Sequence, residues 1–321
     1  MRVHDISVVI CAYTEDRWHQ VLAAVESVQT QSLPSHEIIL VVDYNPTLYK
    51  RLVATLDGVI VIENREDKGL SGARNSGSAT ATGEIIAYLD DDAMAHTDWL
   101  RFLNESYDNP AVIGAGGWTE PNWQTGRPAW LPSEFDWVVG SSYTGLPPNG
   151  APIRNLNGAN MSFRREVFTL VDGFQSGLGR TSNGRPLGCE ETEFCIRIGQ
   201  RSPDTIIVME NRALVRHFVP DSRCTFSYFV RRCYAEGISK AQVTGYVGSS
   251  DGLSSERSYA TRTLPLGVLR GVSDALRGKP SGLARAGAII AGLAVTTAGF
   301  ASGKLSGAGP KPPSGVQLQT G

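Results

Sequence analysis

Four continuous apolar runs, separated by segments of helical periodicity, constrain the fold of this chain more than any other feature. The runs are rich in β-branched residues and lie at 6–12, 37–43, 59–62 and 84–89. Helical patterns cover about 18–31 and 71–81. Strands that are apolar on both faces are typical of parallel sheets covered by helices on each side. The first hundred residues therefore predict an α/β fold with a mostly parallel central sheet.

The second half of the chain differs from the first in composition and in its apolar pattern. The region from about 111 to 165 carries four tryptophans among many Gly and Pro residues, which predicts loops with antiparallel strands. Beyond it, helices are predicted over 163–171, 190–201 and 224–244. A Gly-rich loop is predicted over 176–188 and a further strand over 206–209. Together these elements predict one large domain followed by an appendage.

Composition argues against some functions. Lys and Arg number 30 against 32 Asp and Glu, and no basic stripe alternates with aromatic residues, so no nucleic-acid binding is expected. The five cysteines form no Cys-x-x-Cys pair, which indicates reduced thiols in a cytosolic protein. No secretory signal is apparent, because the first apolar run is short and charged residues follow it at once.

An acidic triplet, Asp90-Asp91-Asp92, follows the fourth apolar run. Three adjacent carboxylates repel one another, and a bound cation offsets their charge. If the extended geometry continues, Asp90 and Asp92 face one site together. Tyr13 and Asp43 also end predicted strands, so polar groups converge on the edge of the sheet where α/β proteins bind ligands. The alternative interpretation is a solvated acidic turn.

Five segments closely resemble family 2 glycosyltransferases of the GT-A fold in their order and spacing. The resemblance covers about 5–240 and rests on 7–13, 72–77, 81–92, 158–165 and 188–191. It implies a GT-A domain over 1–245, with a nucleotide-binding half at 1–110 and an acceptor-binding half at 111–245. A helical, membrane-associating region is expected at 246–303, and a disordered tail at 304–321.

The resemblance implies a site for a nucleotide-sugar donor at the strand ends. A divalent cation, Mn²⁺ or Mg²⁺, would neutralise the leaving diphosphate, with Asp90, Asp92 and His217 as its ligands. The implied donor-binding residues are Ala12, Tyr13, Glu15, Asp43, Arg74, Asn75, Asp90 and Asp91. Alternatives remain open, since a lone His is more often structural and Asp43 also suits a turn.

The reaction that the resemblance implies is direct displacement at the anomeric carbon, with inversion. One carboxylate must take the proton of the acceptor hydroxyl. In the family this base is the second residue of a Glu-Asp pair that opens a helix. Here the pair is Glu190-Glu191, so Glu191 is the expected base, with Glu190 or Glu193 as alternatives. Acidic residues at this position also suit the positive end of a helix dipole without any catalytic role.

Aromatic residues predict a groove for the acceptor. Trp118 and Trp123 flank a polar stretch, and their indole rings can stack on sugars. Asn160 lies within one of the segments that resemble the family and is assigned to the same groove. The tryptophans can equally anchor a core. Arg231 and Arg232 can hold a pyrophosphate or form a solvated helix face.

The uncharged stretch at 286–303 bears on the location of the protein. It is shorter than a spanning helix and diluted by Gly, Ser and Thr, so it lies on a membrane face or packs on the main domain. The sequence thus predicts a transferase that moves sugar from UDP-sugar to a lipid-linked or cell-envelope glycan, at the inner face of the cell membrane. The second candidate is a polyprenyl-phosphate sugar synthase. The candidate from another class is a non-catalytic sugar-nucleotide or glycan-binding protein.

Overall fold

A mixed sheet lies at the centre of the part of the chain that the structure, a computed structural model, describes: residues 2–176, 178 and 188–306. Its eight strands are β1 (Ile6–Ala12), β2 (Glu37–Val42), β3 (Ile60–Glu63), β4 (Ile85–Asp90), β5 (Ala93–Ala95), β6 (Val112–Trp123), β7 (Asn160–Arg164) and β8 (Ile206–Val219). Their order is β3-β2-β1-β4-β7-β6-β8-β5. Strands β1 to β4 are parallel, as predicted, whereas β7 runs antiparallel to β4 and β6, and β5 antiparallel to β8.

Helices cover both faces of this sheet. Those before the C-terminal region are α1 (Trp18–Gln29), α2 (Pro46–Thr55), α3 (Leu70–Thr80), α4 (Trp99–Ser106), α5 (Glu166–Val171) and α6 (Glu190–Arg201). Alternate residues of β1 enter two cores: Val8 and Ile10 pack with α1, α2 and α4, and Val9 packs with α3, α5 and α6. Burial on both faces explains why the early strands are continuous apolar runs.

The C-terminal region is helical. It comprises α7 (Phe226–Val247), α8 (Ser249–Gly252), α9 (Ser254–Ser258), a π-helical turn (Tyr259–Thr263), α10 (Leu264–Leu276) and α11 (Ser281–Leu305). By length and composition α11 can cross a membrane, but here one of its faces packs along α7. The approach is close, because a Cβ on Gly237 would overlap the Thr296 carbonyl oxygen and one on Gly299 the Tyr234 carbonyl oxygen.

The structure differs from the sequence-based prediction mainly in the middle of the chain. The region expected to form loops with antiparallel strands contains β6, which pairs antiparallel with β7 but parallel with β8. Its glycines reflect close packing, since a Cβ on Gly114 would lie 2.8 Å from the Phe163 ring. The helix predicted over 163–171 begins only at Glu166, because 160–164 forms β7. Strand β8 is longer than predicted, and β5, α2 and α4 were not predicted.

Some predictions lie beyond what the structure describes. Most of the Gly-rich loop at 176–188 and of the tail at 304–321 falls outside the described residues, although residues 304–305 belong to α11. The division of the chain into domains stays a prediction. All five cysteines lie in the described part and are free thiols.

Candidate active site

A cavity of about 1210 Å³ lies at the carboxyl ends of β1, β2 and β4. Residues predicted to bind the donor line it, namely Ala12, Tyr13, Asp43, Arg74, Asp90 and Asp91. So do His217 and the candidate bases Glu190 and Glu191. The sheet topology thus brings most of the predicted metal, donor and catalytic residues to one cavity, whereas Glu15, Asn75 and Asp92 are not part of its lining.

Two aspartates and a histidine form a compact cluster beside this cavity. Ligand atoms of Asp90, Asp92 and His217 all lie within 4.8 Å of one another. The chain does not stay extended through the acidic triplet, because it turns at Asp91 and Asp92 after β4. Ala93 then pairs with His217 in the β5–β8 ladder, and the His217 Nε2 lies 3.1 Å from the Asp92 Oδ1. A turn and a strand pairing, and not strand alternation, therefore bring the three side chains together.

The chemistry of the cluster fits a divalent cation. His217 is 3% exposed, and its Nδ1 has no hydrogen-bond partner among the described residues. Gly140 lies against the ring, since a Cβ there would stand 2.8 Å from the His217 Cε1. Carboxylate oxygens and an imidazole nitrogen are ligands that ions such as Mn²⁺ accept. Asp90, Asp92 and His217 are thus the residues that would hold the metal.

Arginines offset the charge of the acidic triplet. The Arg17 guanidinium lies 2.5 Å from the Asp91 Oδ1 and 3.1 Å from the Asp92 Oδ2. The Arg223 Nη2 lies 3.8 Å from the same Asp92 oxygen. Burial raises the pKa of Asp91, although Arg17 lies opposite it. Burial acts in the same direction on Asp92, but His217 and the guanidinium groups outweigh it and hold the pKa of Asp92 well below its ordinary value.

Asp43 and Tyr13 occupy the ends of neighbouring strands. The Asp43 carboxylate accepts hydrogen bonds from the Gly69 amide at 3.1 and 3.2 Å and from the Asn64 Nδ2 at 2.7 Å. It therefore holds the loop before α3 in place while lining the cavity. Tyr13 is 50% exposed, and the Arg17 guanidinium lies 5.5 Å from its ring centre. Its ring is accessible for stacking.

Arg74, on α3, connects the acidic triplet to the start of α6. Its Nη1 lies 2.8 Å from the Glu190 Oε1, and its Nη2 lies 3.7 Å from the Asp90 Oδ1 and donates to the Gly158 carbonyl oxygen at 3.2 Å. Burial and the adjacent Glu190 raise the pKa of Glu191 to about 8, although Arg74 opposes this. Two neighbouring carboxyl groups thus have different environments, as in sites where one group acts as a base.

Two predicted site residues have structural roles instead. The Asn75 side chain donates to the Phe174 carbonyl oxygen at 2.9 Å and accepts from the Phe174 amide at 2.8 Å. Asn160 is fully buried, accepts from the Trp99 indole at 2.8 Å and donates to the Ala213 carbonyl oxygen at 2.9 Å. Because internal partners satisfy both amides, the geometry does not support their predicted contacts with donor and acceptor.

Trp118 and Trp123 lie on β6 and do not line the cavity. The polar stretch between them is part of the strand and pairs with β8, and Trp123 packs against an aromatic core. Trp137, in the helical turn Ser133–Val139, lines the cavity in their place. Glu15 is exposed in the turn after β1 and also lies outside the lining. Polar neighbours in the sequence therefore did not identify which tryptophan lines the cavity.

A network of charged residues on α7, on α9 and in the loop before β7 forms another wall of the cavity. Arg232 lies 2.9 Å and Lys240 lies 3.2 Å from the Glu236 carboxylate. Lys240 and Arg154 both pair with Glu256, at 2.5 and 2.6 Å. Burial alone would raise the pKa of Glu236, but Lys240 and Arg232 lower it to about 2. Of these residues, the sequence had indicated only Arg232.

The far end of the cavity is apolar and belongs to the C-terminal helices. Its lining there includes Tyr259, Leu264, Leu293 and Phe300. Leu293 is also 40% exposed, so the lining is continuous with the surface of α11. Large apolar side chains stand exposed on α10 and α11; this apolar outer face consists of Leu266, Leu269, Leu276, Leu283, Ile290 and Leu293. The cavity therefore connects an ionic end with an apolar surface.

Comparisons with known proteins agree with this geometry. The family model described as "Glycosyl transferase family 2" matches residues 7–170, about half of the chain. A glucosyl-dolichyl phosphate glucuronosyltransferase from Haloferax volcanii is 34% identical over 239 residues. That alignment covers 73% of this chain and 76% of the relative.

Two solved structures share the fold. The mannosyltransferase PcManGT from Pyrobaculum calidifontis, in complex with GDP-Man and Mn²⁺, has a TM-score of 0.56 and 16% identity, over 92% of this chain and 88% of its own. GalNAc-T7, with UDP, GalNAc and Mn²⁺, has a TM-score of 0.53 and 18% identity, over 81% of this chain and 55% of its own. This chain thus matches only about half the length of GalNAc-T7. The family match and the Haloferax relative confirm what the motifs predicted: the chain belongs to glycosyl transferase family 2 and is a glycosyltransferase with the GT-A fold.

Proposed function

We propose that this protein is a metal-dependent, inverting glycosyltransferase that moves a sugar from a nucleotide-diphosphate donor to a lipid-linked or cell-envelope glycan. The observation that carries the proposal is that the cluster of Asp90, Asp92 and His217 adjoins the same cavity at the strand ends that Glu191 lines. A bound cation would stabilise the charge on the leaving diphosphate. Glu191 takes the proton of the acceptor hydroxyl, and Arg74 fixes the neighbouring Glu190.

UDP-sugar is the donor that we propose. Tyr13 offers an accessible ring for stacking on the base, and the Asp43 carboxylate can accept the imide N–H of uracil. The solved relatives contain Mn²⁺ with GDP-Man in one case and with UDP in the other. An imidazole among the ligands favours Mn²⁺ over Mg²⁺, which prefers oxygen ligands alone.

A lipid-linked acceptor at the inner face of the cell membrane agrees with the C-terminal region. The apolar outer face lies on α10 and α11, which carry Arg270 and Arg285, and Arg277 and Lys279 lie in the turn between these two helices. Apolar side chains interspersed with cationic ones suit the interface of a membrane with anionic lipids. The cavity lining reaches this face at Leu293. The Haloferax relative is named for glucosyl-dolichyl phosphate, an acceptor of this class.

A polyprenyl-phosphate sugar synthase is the second candidate. A phosphate acceptor needs no base to remove a hydroxyl proton. The carboxyl group of Glu191 at the cavity therefore favours transfer to a glycan hydroxyl over transfer to a lipid phosphate. The family match and the intact acidic cluster also argue against a protein that only binds sugar nucleotides.

Transfer assays with two lipids test these candidates. The purified chain is incubated with Mn²⁺, a set of radiolabelled UDP-sugars, and either polyprenyl phosphate or glucosyl-polyprenyl phosphate. Transfer to the sugar-bearing lipid supports the proposal. Transfer to polyprenyl phosphate alone identifies a synthase. Calorimetric binding of UDP without turnover on any acceptor indicates a binding protein.

A further inference from the structure

Arg17 and Arg223 lie at the acidic triplet but come from distant parts of the chain. Arg17 ends the helical turn Glu15–Arg17 after β1, and Arg223 ends the turn Asp221–Arg223 after β8. Both line the cavity, and their guanidinium groups lie 3.1 and 3.8 Å from the same oxygen of Asp92. Neither residue was among the sequence-based site predictions.

The charge of the triplet is already offset within the protein itself. Among the described residues, three guanidinium groups lie within 3.8 Å of its carboxylates, those of Arg17, Arg74 and Arg223. A divalent cation at Asp92 would stand close to two of these groups, and like charges at such distances repel. A ligand with several anionic oxygens between the cation and the guanidinium groups removes this repulsion. A diphosphate is such a ligand.

Resting on the proposed function, we infer that Arg17 and Arg223 form a diphosphate clamp that makes cation binding and diphosphate binding mutually dependent. Without a diphosphate, both guanidinium groups compete with the cation for Asp92. When a diphosphate is bound, both guanidinium groups leave Asp92 and bind phosphate oxygens instead. Two positive charges then lie beside the leaving group. Arg223 is suited to this exchange, because within the described residues its side chain lies 3.8 Å from Asp92 and makes no hydrogen bond. Such a coupling is reciprocal by thermodynamic necessity.

Calorimetric titrations of the full chain test the clamp through two affinities that must change in opposite directions. Arg223→Ala is expected to bind Mn²⁺ alone several-fold more tightly, because a competing cation is gone. The same variant is expected to bind inorganic pyrophosphate in the presence of Mn²⁺ about tenfold more weakly, because a charge-assisted hydrogen bond is lost. Loss of both affinities would mean that Arg223 only supports the structure, and two unchanged affinities would mean that it has no role; either result overturns the clamp.

Further variants separate the clamp from other effects. Removing Arg17 would leave Asp91, which is 3% exposed, without its cationic partner. Arg17→Lys keeps the positive charge and is expected to weaken only the affinity for pyrophosphate. Arg216→Ala is the matched control, because Arg216 adjoins His217 yet lies 3.8 Å from Glu120 and outside the cavity lining. Pyrophosphate binding with no binding of UDP would count against the proposed donor and leave the clamp intact.

Discussion

The Arg74 guanidinium lies 2.8 Å from the carboxylate of Glu190, whereas no ion pair joins Glu191, the next residue of α6, to any side chain in the described part of the chain. One carboxyl group is therefore paired with a buried cation. Burial, together with the adjacent Glu190, raises the pKa of the other, so that it retains its proton to a higher pH. This asymmetry distinguishes Glu191, the base that the resemblance implies, from Glu190, which the sequence had left open as an alternative.

Glu191→Gln is expected to lose sugar transfer by roughly 100-fold or more while it still binds UDP with Mn²⁺, because the amide cannot accept the hydroxyl proton. Initial rates at saturating donor, together with calorimetry of UDP binding, measure the two effects separately. A variant that retains most of its transfer activity excludes Glu191 as the base.

The neighbouring acids serve as controls for that variant. Glu190→Gln removes the nearer of the two carboxylates that pair with Arg74 and is expected to lower the free energy of unfolding by about 1–3 kcal/mol. Glu193→Gln tests an acid that faces Arg197 at 2.7 Å, outside the cavity lining, and is expected to transfer sugar. If Glu190→Gln folds normally and alone abolishes transfer, the base is one residue earlier.

The pH profile of transfer should reflect Glu191. Its pKa is raised to about 8, and a base must be ionised, so kcat/KM is expected to rise with pH through about 8 and then level off. Because the folded-state pKa exceeds the ordinary value of 4.5, the linked stability is complete below that value and is lost as the pH rises through about 8. In Glu191→Gln, the rise of kcat/KM and the loss of stability near pH 8 should both disappear. A flat wild-type profile between pH 6 and 9 would contradict this assignment.

Asp92→Asn is expected to abolish Mn²⁺-dependent binding of UDP with the fold retained, because the amide keeps the shape of the side chain and loses the anionic ligand. Calorimetry with and without Mn²⁺ measures the effect, and circular dichroism checks the fold. Asp98→Asn is a control at an Asp that pairs with Arg101 on α4. Unchanged Mn²⁺-dependent affinity in Asp92→Asn would remove Asp92 as a metal ligand.

Gly237→Ala should loosen the packing of α11 on α7. The added methyl group would overlap the Thr296 carbonyl oxygen, and such overpacking costs about 1–3 kcal/mol of unfolding free energy. Gly245→Ala on the same helix has open space around its Cβ and is expected to stabilise the protein by up to ~1 kcal/mol through helix propensity. Urea denaturation compares them; equal shifts in the two variants would show that the contact is not tight.

Membrane binding is expected to depend on the apolar outer face. Leu269 and Leu276 are 65% and 85% exposed, so replacing both by Ser removes apolar area without disturbing the core. Co-sedimentation with vesicles that contain anionic phospholipid should fall by about tenfold or more. Leu170→Ser, at an exposed leucine on α5, is the control. Sedimentation equal to that of the wild type would remove this face as the membrane contact.

The sequence predicted the elements whose apolar pattern is continuous. Strands β1, β2 and β4 were expected because residues buried on both faces give unbroken apolar runs. Strand β6 was hidden by glycines, which resemble turn signals but here allow close packing against neighbouring strands. The short β5 carries too few residues to show a period.

The site was predictable in its residue types but less so in their orientation. Motif positions gave Asp90, Asp92 and His217, which the structure brings together. The same kind of reasoning placed Asn160 in the acceptor groove, although its amide is used by internal hydrogen bonds. Arg223 could not be predicted, because a single basic residue after a strand forms no sequence pattern. Only the β5–β8 pairing in the folded chain brings it to the triplet.

The pairing of Ala93 with His217 has an evolutionary consequence. The segment that matches the family model ends at residue 170, whereas Glu191, His217 and Arg223 follow it and come to the cavity through the later strand and helices. The family model therefore covers one stretch of the chain, and another stretch completes the proposed set of reactive residues. A related protein can keep residues 7–170 unchanged and still lose activity, or change its substrate preference, through substitutions that lie outside the segment matched by the family model.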